Sequence, residues 1–506
     1  MEMTYQNPVI SGFHPDPSVC RVGGDYYLVT SSFGYYPGVP LFHSNDLVHW
    51  TQIGHCLTRK EQLDLRNAGT STGIYAPTIR FYQGMFYMTT TNVSGGGNFY
   101  VTSEDPSGAW SDPVFVDHPG IDPDLFFDED GTVYYTTSWN QGIYQSRIDI
   151  ETGQKLSEVR LLWNGTGGQY PEAPHLYRVG AWYYLLISEG GTEYGHMVTV
   201  ARSKRPEGPF ESCPHNPILT HRSLLKPIQA TGHADLVQAP DGSWWAVFLG
   251  IRPVGYPQRH HLGRETFLAP VSWTGDGWPV IGENGVVHET MPSGNLRLQR
   301  VTSPPVRDDF VDSELAPYWN FLRSPHPDHG SLTEKESCLT LNGSAATLND
   351  GAAAFLGRRQ QHFNMKASVH LTFAPQQDGE EAGLTVFMNE RFHYELAVIR
   401  IDGCRKMIFR RRIGSLWKVE SEAPWSSDSV VLTIQADKEK YAFGFAGGGQ
   451  EPCWFGEGEC AMLATEVAGG FTGVLIAMYA TGNGVRSVSP AHFDWFDYQA
   501  LEDVVL

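Results

Sequence analysis

The chain has no long apolar run and comparatively few basic residues. None of its 506 residues belongs to a run of eighteen consecutive apolar residues, which excludes a membrane-spanning helix. Lys and Arg number 36 against 56 Asp and Glu, and the net charge of −20 disfavours nucleic acid as a partner. The amino terminus has neither a basic region nor an apolar segment, so we expect a cytoplasmic protein without a signal peptide.

Paired cysteines and helix signals are also missing. The seven cysteines are odd in number, scattered and without a CxxC pair, which favours free thiols over disulfides or a zinc site. In contrast, 54 glycines, 32 prolines and 12% aromatic residues favour many short strands and turns. A chain of this length is too long to fold around one hydrophobic core, so we expect two or three domains.

A repeat runs through the first half of the chain. Five glycines, each followed within three residues by a pair of aromatic residues, define it: Gly24, Gly84, Gly131, Gly180 and Gly242. They lie 47 to 62 residues apart, which is typical of propeller blades. The aromatic pairs continue into β-rich runs bounded by turn residues, so each repeat predicts one four-stranded blade.

Three of the segments upstream of these glycines carry an acid. Asp16 and Glu172 lie eight residues before their glycines, Asp122 lies nine residues before, and His233 lies nine residues before the fifth. The innermost strands of a propeller face its axis, so we expect these residues to share one register and to converge at one end of the channel. A single Asp-Pro favours a turn, whereas three acids at one register favour a site.

The repeat stops near residue 300. The segment from Leu296 to Phe310, which contains two adjacent prolines, predicts a boundary between a propeller of residues 1–300 and a second domain of residues 301–506. Alternating segments such as 366–373 and 430–434 predict an antiparallel β-sandwich of the concanavalin-like jelly-roll type. The expected fold is therefore all-β, a five-bladed β-propeller followed by a β-sandwich.

Acids that face each other across a pocket suit the hydrolysis of a glycosidic bond. One carboxyl group protonates the leaving oxygen, and the other activates water or attacks carbon. A third acid nearby would raise the pKa of the proton donor by repulsion between like charges. Phe33, Tyr75 and Trp139 lie near the acid-bearing repeats and would offer flat walls to sugar C–H faces, although each alone also suits a core.

Five motifs together resemble glycoside hydrolase family 43, in particular its two-domain β-xylosidases and α-L-arabinofuranosidases. They are HPDPS at 14–18, IDPDL at 121–125, EAPHLY at 172–177, GHA at 232–234 and GRET at 263–266. The resemblance covers nearly the whole chain and implies a five-bladed propeller and inversion of the anomeric centre. It implies Asp16 as general base, Glu172 as general acid, and Asp122 as the acid that tunes the pKa of Glu172 and orients it.

The same resemblance implies further site residues. Arg264 is expected to bind hydroxyls of the non-reducing sugar and to steady the Asp122 carboxylate. His233 is expected near the axis, close to Asp122, either as a core group or as a holder of calcium or its water shell. Tyr75 stands where many of the β-xylosidases have tryptophan, which leaves the sugar preference open. Phe471 is the candidate aromatic residue with which the sandwich closes the pocket, and its alternative is an ordinary core residue.

The leading hypothesis is an exo-acting hydrolase that removes one terminal xylose or arabinofuranose from short oligosaccharides. β-Xylosidase ranks first and α-L-arabinofuranosidase close behind. No organic cofactor is expected, while calcium in the channel and a homo-oligomer stay open. One alternative is an invertase-type hydrolase that retains configuration, although the chain lacks an Arg-Asp-Pro motif between its first and last acids. The other is a non-catalytic carbohydrate-binding protein.

Overall fold

The chain folds almost entirely into strands. The computed structural model describes residues 3–299 and 306–501. Helical structure in these ranges amounts to the 3-10 segments Pro327–His329 and Cys460–Leu463 and the α-helical turn Thr465–Ala468. None of the helices within them is long and apolar enough to span a membrane. The expectation of an all-β fold is confirmed.

The first half forms five antiparallel sheets, which we number as blades in chain order. Blade 1 comprises Ser18–Val22, Asp25–Val29, Gly38–Ser44 and Thr51–Leu57. Blade 2 comprises Thr78–Tyr82, Met85–Asn92, Gly97–Ser103 and Val114–Phe115. Blade 3 comprises Ile121–Phe127, Val133–Trp139, Gly142–Ile148 and Arg160–Trp163. Blade 4 comprises Glu172–Val179, Trp182–Glu189, Met197–Ser203, Glu211–Ser212 and Leu219–Thr220. Blade 5 comprises Gln229–Gln238, Trp244–Ile251, Glu265–Trp273 and Pro279–Ile281.

The blades close into a ring around an axial channel. The first strand of every blade contacts the first strand of the next, and the first strand of blade 5 contacts that of blade 1. The predicted propeller is therefore confirmed, with the innermost strand of each blade facing the channel. The short strands Thr4–Gln6 and Thr290–Pro292 pair with each other, so the two ends of the propeller meet.

The second half forms two stacked sheets. Sheet A comprises Gly330–Ser331, Leu339–Asn342, Pro490–Ala500, Met365–Thr372, Ser429–Ala436, Lys440–Ala446 and Cys453–Glu459, with Arg307–Asp308 alongside Pro490–Ala500. Sheet B comprises Ala354–Arg359, Leu475–Thr481, Glu381–Asn389, Phe392–Ile401, Cys404–Ile413 and Leu416–Pro424. This confirms the predicted sandwich. The boundary that we predicted between residues 300 and 301 lies outside the described residues.

The central strands of sheet B, Glu381–Asn389 and Leu475–Thr481, are buried on both faces, and one of these faces packs against the propeller. Along Glu381–Asn389, the side chains of Ala382, Leu384 and Val386 point into the sandwich core, whereas Phe387 belongs to a separate cluster. That cluster also contains Phe13, Phe33 and Tyr35 of the propeller. In addition, the two-residue strands Tyr35–Tyr36 and Phe321–Leu322 pair across the interface. The two domains therefore share an apolar core beside the channel mouth.

Candidate active site

A cavity of about 600 Å³ opens where the channel meets the sandwich. All nine side chains that the sequence marks as site residues line it: Asp16, Phe33, Tyr75, Asp122, Trp139, Glu172, His233, Arg264 and Phe471. Each of the five blades contributes, directly or through an adjoining loop, and the sandwich adds Phe471. Residues more than 450 positions apart in sequence thus line one pocket.

Left-handed backbone conformations recur where the innermost strands reach the pocket. The φ angles of Asp16, Asp122, Ala173 and His233 are 56°, 53°, 53° and 50°. In blades 3, 4 and 5 the pairing with the second strand shifts register at this point, as in a β-bulge. Non-glycine residues adopt this conformation at a cost of about 1 to 3 kcal/mol, and a cluster of them at one place is typical of a functional site. The bulges direct side chains of the inner strands into the cavity.

Our prediction that the three acids share one register is wrong for Glu172. Glu172 pairs with Ser188 as Ile121 pairs with Ser138, so its counterpart in blade 3 is Ile121. The residue matching Asp122 is Ala173. Counting back from the glycines fails because the first hairpin turns differ in length, with five residues at 128–132 in blade 3 and two at 180–181 in blade 4.

Asp16 is surrounded by donors. Its Oδ1 accepts a hydrogen bond from Arg264 Nη1 at 2.6 Å, and its Oδ2 accepts one from Ser31 Oγ at 2.6 Å. Burial acts to raise the pKa of Asp16, but the charge of Arg264, then His233 and the Ser31 hydrogen bond, bring the pKa below its usual value. Asp16 is therefore ionised at neutral pH, as a general base must be. The hydrogen-bond partner of Arg264 is Asp16, and the charge of Arg264 also favours the ionised form of Asp122, as expected, although the larger effect of burial prevails there.

Asp122 and Glu172 form a coupled acid pair. Burial, followed by repulsion from Glu172 and from Asp16, raises the pKa of Asp122 well above its usual value. Asp122 Oδ2 accepts a hydrogen bond from Ala173 N at 3.3 Å, which ties the two strands together at the bulge. Glu172 is the more exposed member of the pair, with 17% of its side chain accessible. Asp122 therefore keeps its proton to a higher pH than an ordinary aspartic acid, and Glu172 presents its carboxyl group to the cavity.

His233 lies beside Asp16 and lines the same cavity as Asp122. Its Nδ1 is 3.5 Å from Asp16 Oδ1, and its backbone N–H donates to Ser188 Oγ at 2.6 Å. Burial lowers the pKa of His233 to about 4, so the imidazole is neutral at neutral pH. Within residues 3–299 and 306–501, no three His, Cys, Asp or Glu side chains are grouped to hold a metal ion.

Aromatic rings form one wall of the cavity. Phe33 stacks on Phe471, with ring centroids 6.0 Å apart and planes 24° apart, and Tyr75 packs against both rings. The Arg264 guanidinium lies 5.7 Å from the Phe33 ring and 5.8 Å from the Phe471 ring. Phe471 is thus a pocket residue rather than a core residue, with 40% of its surface exposed. The aromatic wall suits the C–H groups of a sugar ring, and the guanidinium suits its hydroxyl groups.

The opposite rim of the cavity is more open. Trp139 ends the second strand of blade 3 and is 46% exposed, and Asn140 and Gln141 follow it in the turn. Tyr170, 55% exposed, and Glu193 complete this rim from the loops of blade 4. The Trp139 ring packs on Tyr144, with ring centroids 5.1 Å apart, and its exposure indicates that it borders the mouth, where the remainder of a ligand would leave the pocket.

Sequence reasoning missed His196. Its Nε2 lies 3.0 Å from Glu172 Oε1, although neither atom has a hydrogen-bond partner of good geometry, and its Nδ1 lies 3.3 Å from the carbonyl oxygen of Ala230. His196 is fully buried, and its ring packs so closely on Gly232 that a Cβ there would lie 2.3 Å from it. The sequence held one indication of this contact, the glycine at position 232. A larger residue there would collide with the buried His196 ring.

Two family models match the chain. The model described as glycosyl hydrolases family 43 matches residues 5–279. The model described as the beta xylosidase C-terminal concanavalin A-like domain matches residues 307–499. The two matches correspond to the propeller and the sandwich.

Relatives and solved structures of similar length agree with these matches. A non-reducing end alpha-L-arabinofuranosidase of Bacteroides ovatus is 46% identical over 99% of this chain and 96% of its own. A xylosidase/arabinosidase of Butyrivibrio fibrisolvens is 38% identical over 98% of this chain and 99% of its own. Among structures, a xyloglucan-locus protein of Bacteroides ovatus superposes with a TM-score of 0.95 at 44% identity, covering 99% of this chain and 100% of its own. A protein of Bacillus licheniformis gives 0.92 at 36% identity, with 99% and 100% covered.

Proposed function

The chain belongs to glycosyl hydrolase family 43, and on that premise we propose that it removes one terminal pentose from the non-reducing end of short oligosaccharides. It is a glycosidase, so the non-catalytic alternative is set aside. The observation that carries the proposal is the cavity in which three carboxyl groups of the inner strands face an aromatic wall completed by Phe471. A pocket walled in this way accommodates a chain end better than the middle of a polymer.

In the proposed mechanism, Asp16 is the general base. Its ionised carboxylate takes a proton from a water molecule that attacks the anomeric carbon. Arg264 and Ser31 hold both carboxylate oxygens, which fixes the direction of proton removal. The neutral His233 imidazole flanks the same carboxylate without adding a full charge.

Glu172 is the proposed general acid. Protonation of the leaving oxygen requires a carboxyl group that keeps its proton and can reach the substrate. Beside it, Asp122 has a pKa raised by burial and by repulsion from Glu172 and Asp16. Asp122 is the more buried of the two acids and is bonded to the backbone of Ala173, so we assign it the orienting of Glu172.

For the sugar, we propose α-L-arabinofuranose ahead of β-xylose. This reverses the order that the sequence motifs suggested, and it rests on the 46% identical relative whose name specifies a non-reducing end arabinofuranosidase. β-Xylose is the second candidate because the Butyrivibrio relative is named for both activities. Parallel kcat/KM measurements on arabino-oligosaccharides and xylobiose test the order, and a higher value for xylobiose would reverse it.

The acid role is tested with Glu172→Ala. We expect a loss of about 10²- to 10⁴-fold in kcat/KM on a natural oligosaccharide and a smaller loss on a nitrophenyl glycoside, whose leaving group needs less protonation. Glu129→Ala, which removes an exposed acid in the turn of blade 3, is the matched control and should retain full activity. Equal rates for Glu172→Ala and the unmodified chain on both substrates would refute the assignment.

Stereochemistry tests the single-displacement mechanism separately. Inverting glycosidases hold the two carboxyl groups about 6.5 to 9.5 Å apart, which leaves room for the attacking water. A proton NMR time course should therefore show the first product with the anomeric configuration opposite to that of the substrate. First product with the configuration of the substrate would indicate a retaining enzyme.

A further inference from the structure

One arginine lies inside the channel, directly below the catalytic layer. Arg80 extends from the innermost strand of blade 2. Its Nη1 donates to Asp235 Oδ2 at 2.8 Å, and its Nη2 donates to Asp124 Oδ1 at 2.8 Å. Asp124 lies two residues after Asp122, and Asp235 lies two residues after His233. The guanidinium therefore joins the strands that carry two of the site residues.

The protein satisfies every oxygen of the two carboxylates. Asp235 Oδ1 accepts from Tyr177 Oη at 2.5 Å, and Asp235 Oδ2 also accepts from Ser18 Oγ at 2.6 Å. Asp124 Oδ2 accepts from Leu176 N at 3.0 Å. A divalent cation in the channel would need oxygen ligands of this kind. These oxygens are already occupied by donors, so a metal ion would have to displace them.

The nearby imidazole is also engaged. Arg80 Nη2 lies 2.9 Å from His175 Nδ1. Because a guanidinium can only donate, Nδ1 accepts in this contact, and Nε2, which is buried without a hydrogen-bond partner, carries the ring proton. A histidine in this state has no free lone pair for a metal. The buried ring therefore acts as a further partner for the arginine.

Charge and burial at the axis are consistent with a permanent cation. The side chains of Asp124 and Asp235 are inaccessible to solvent, and that of Arg80 is 16% accessible. Burial opposes the charge on Arg80, but Asp124 and Asp235 outweigh it, and the pKa of Arg80 is raised. Two buried carboxylates without this guanidinium would require another cation or protonation.

We propose that Arg80 is the resident cation of the channel, and that this hydrolase needs no divalent metal ion there. In this role Arg80 is a positioning residue, because it fixes the inner strands of blades 2, 3 and 5 just below Asp122 and His233. Of the measurements that test this proposal, only the kinetic one depends on the proposed hydrolytic function. Metal content and thermal stability are measured without substrate and remain informative if that function is wrong.

The first test uses the unmodified full chain. After purification without added metal, elemental analysis should find calcium and other divalent metals far below one ion per chain. Chelation with EDTA and addition of calcium chloride should leave both the Tm and kcat/KM unchanged. A stoichiometric divalent ion, or a Tm that EDTA lowers and calcium restores, would overturn the proposal.

The second test removes the guanidinium. Arg80→Met should lower the Tm, and it should lower kcat by up to about 100-fold with little change in KM, because it displaces the catalytic layer. Added calcium chloride should raise the Tm of Arg80→Met, since two unpaired carboxylates are then available to a cation. Arg80→Lys, which keeps a charge without the planar fork, should recover part of the lost kcat.

A double variant guards against the failure of Arg80→Met to fold. Arg80→Met with Asp124→Asn leaves one uncompensated carboxylate instead of two, so its Tm should exceed that of Arg80→Met. Arg66→Met is the matched control, because Arg66 is 77% exposed and pairs only with the surface residue Asp64. Arg80→Met with the Tm and kcat of the unmodified chain would show that the guanidinium is not the required cation.

Discussion

At the scale of single residues, the state of the Asp16 carboxyl group is set by competition. Burial favours the neutral form, while Arg264, His233 and Ser31 favour the charged form and prevail. Arg264 is the largest of these opposing contributions, and it also contacts the aromatic wall and the carbonyl oxygen of Phe471 at 3.3 Å. One side chain thus links the acidity of the proposed base to the shape of the sugar pocket.

Replacing Arg264 should shift the acid limb of activity. In Arg264→Met the burial of Asp16 is no longer opposed by a cation, so the pKa of Asp16 rises. Because the base must be ionised, the acid limb of the kcat/KM profile should move to higher pH by about 1 to 3 units.

The control for this shift is Arg264→Lys, which keeps the charge. Its acid limb should remain closer to that of the unmodified chain, even where loss of the planar guanidinium weakens sugar binding. If the acid limb of Arg264→Met coincided with that of the unmodified chain, Arg264 would not control the ionisation of the base.

Residues with their own local motif could be predicted from the sequence, and those without one could not. Asp16, Asp122 and Glu172 each stand in an acid-bearing segment upstream of a repeat glycine. Arg80 and His196 stand in ordinary strand and loop context, and the two carboxylate partners of Arg80 lie on other blades. Only the folded ring brings Arg80 to Asp235, 155 positions away.

At the scale of elements, the segment between Thr465–Ala468 and the strand Leu475–Thr481 presents Phe471 to the propeller. Its backbone N–H donates to Ser71 Oγ at 2.9 Å, in the connection between blades 1 and 2. Further along, Gly473 approaches the backbone of Leu262 so closely that a Cβ would lie 2.3 Å from its carbonyl oxygen. Contacts with the propeller therefore fix the segment both at Phe471 and two residues after it, at Gly473.

Removal of this ring should weaken substrate use more than stability. Phe471→Ala deletes contacts with Phe33 and Tyr75, and an aromatic pair is worth about 0.5 to 1.5 kcal/mol. We expect kcat/KM to fall by roughly 2- to 15-fold, mainly through KM, with a small change in Tm.

Trp454→Ala is the matched control for this variant. Trp454 is 50% exposed on a sandwich strand and does not line the cavity. Its replacement should leave KM unchanged. A Phe471→Ala enzyme with an unaltered KM would place substrate contact elsewhere.

Strand existence was predictable at this scale, but exact register was not. The glycine and aromatic pairs marked the first hairpin of each blade correctly because turn chemistry and β-propensity are local properties. The positive φ angles at Asp16, Asp122, Ala173 and His233 and the bulges of blades 3 to 5 depend on packing around the channel, and turn lengths differ among the hairpins. Register counted from a turn therefore missed by one residue in blade 4.

At the scale of the molecule, the two domains are joined by more than one kind of contact. Besides the shared apolar cluster and the paired strands, Glu466 accepts hydrogen bonds from His260 N at 2.9 Å, His260 Nδ1 at 2.8 Å and Tyr194 Oη at 2.9 Å. Burial raises the pKa of Glu466, but the His260 contacts lower it further than burial raises it. The stabilisation from this contact is therefore present above the ordinary glutamate pKa and is lost as the pH falls through the lowered value.

We expect the domains to unfold together. Separation would expose Phe13, Phe33 and Tyr35, so a single calorimetric transition should cover both domains at neutral pH. Differential scanning calorimetry should give equal calorimetric and van't Hoff enthalpies.

Glu466→Gln should lower the Tm of that transition, whereas Glu457→Gln, on an exposed pair with Lys440, should not. Two well-separated transitions in the unmodified chain would contradict a cooperative interface.

The long sequence separations at the pocket have a consequence during synthesis. Asp16 and Arg264 are 248 residues apart, and Ser71 and Phe471 are 400 residues apart. At a ribosomal rate of about 5 to 20 residues per second, the first blade waits on the order of tens of seconds for its arginine. In the nascent chain, Asp16 is therefore synthesised well before Arg264, and the propeller side of the pocket is synthesised before Phe471. The pocket is complete only when the segment around Phe471 has left the ribosome.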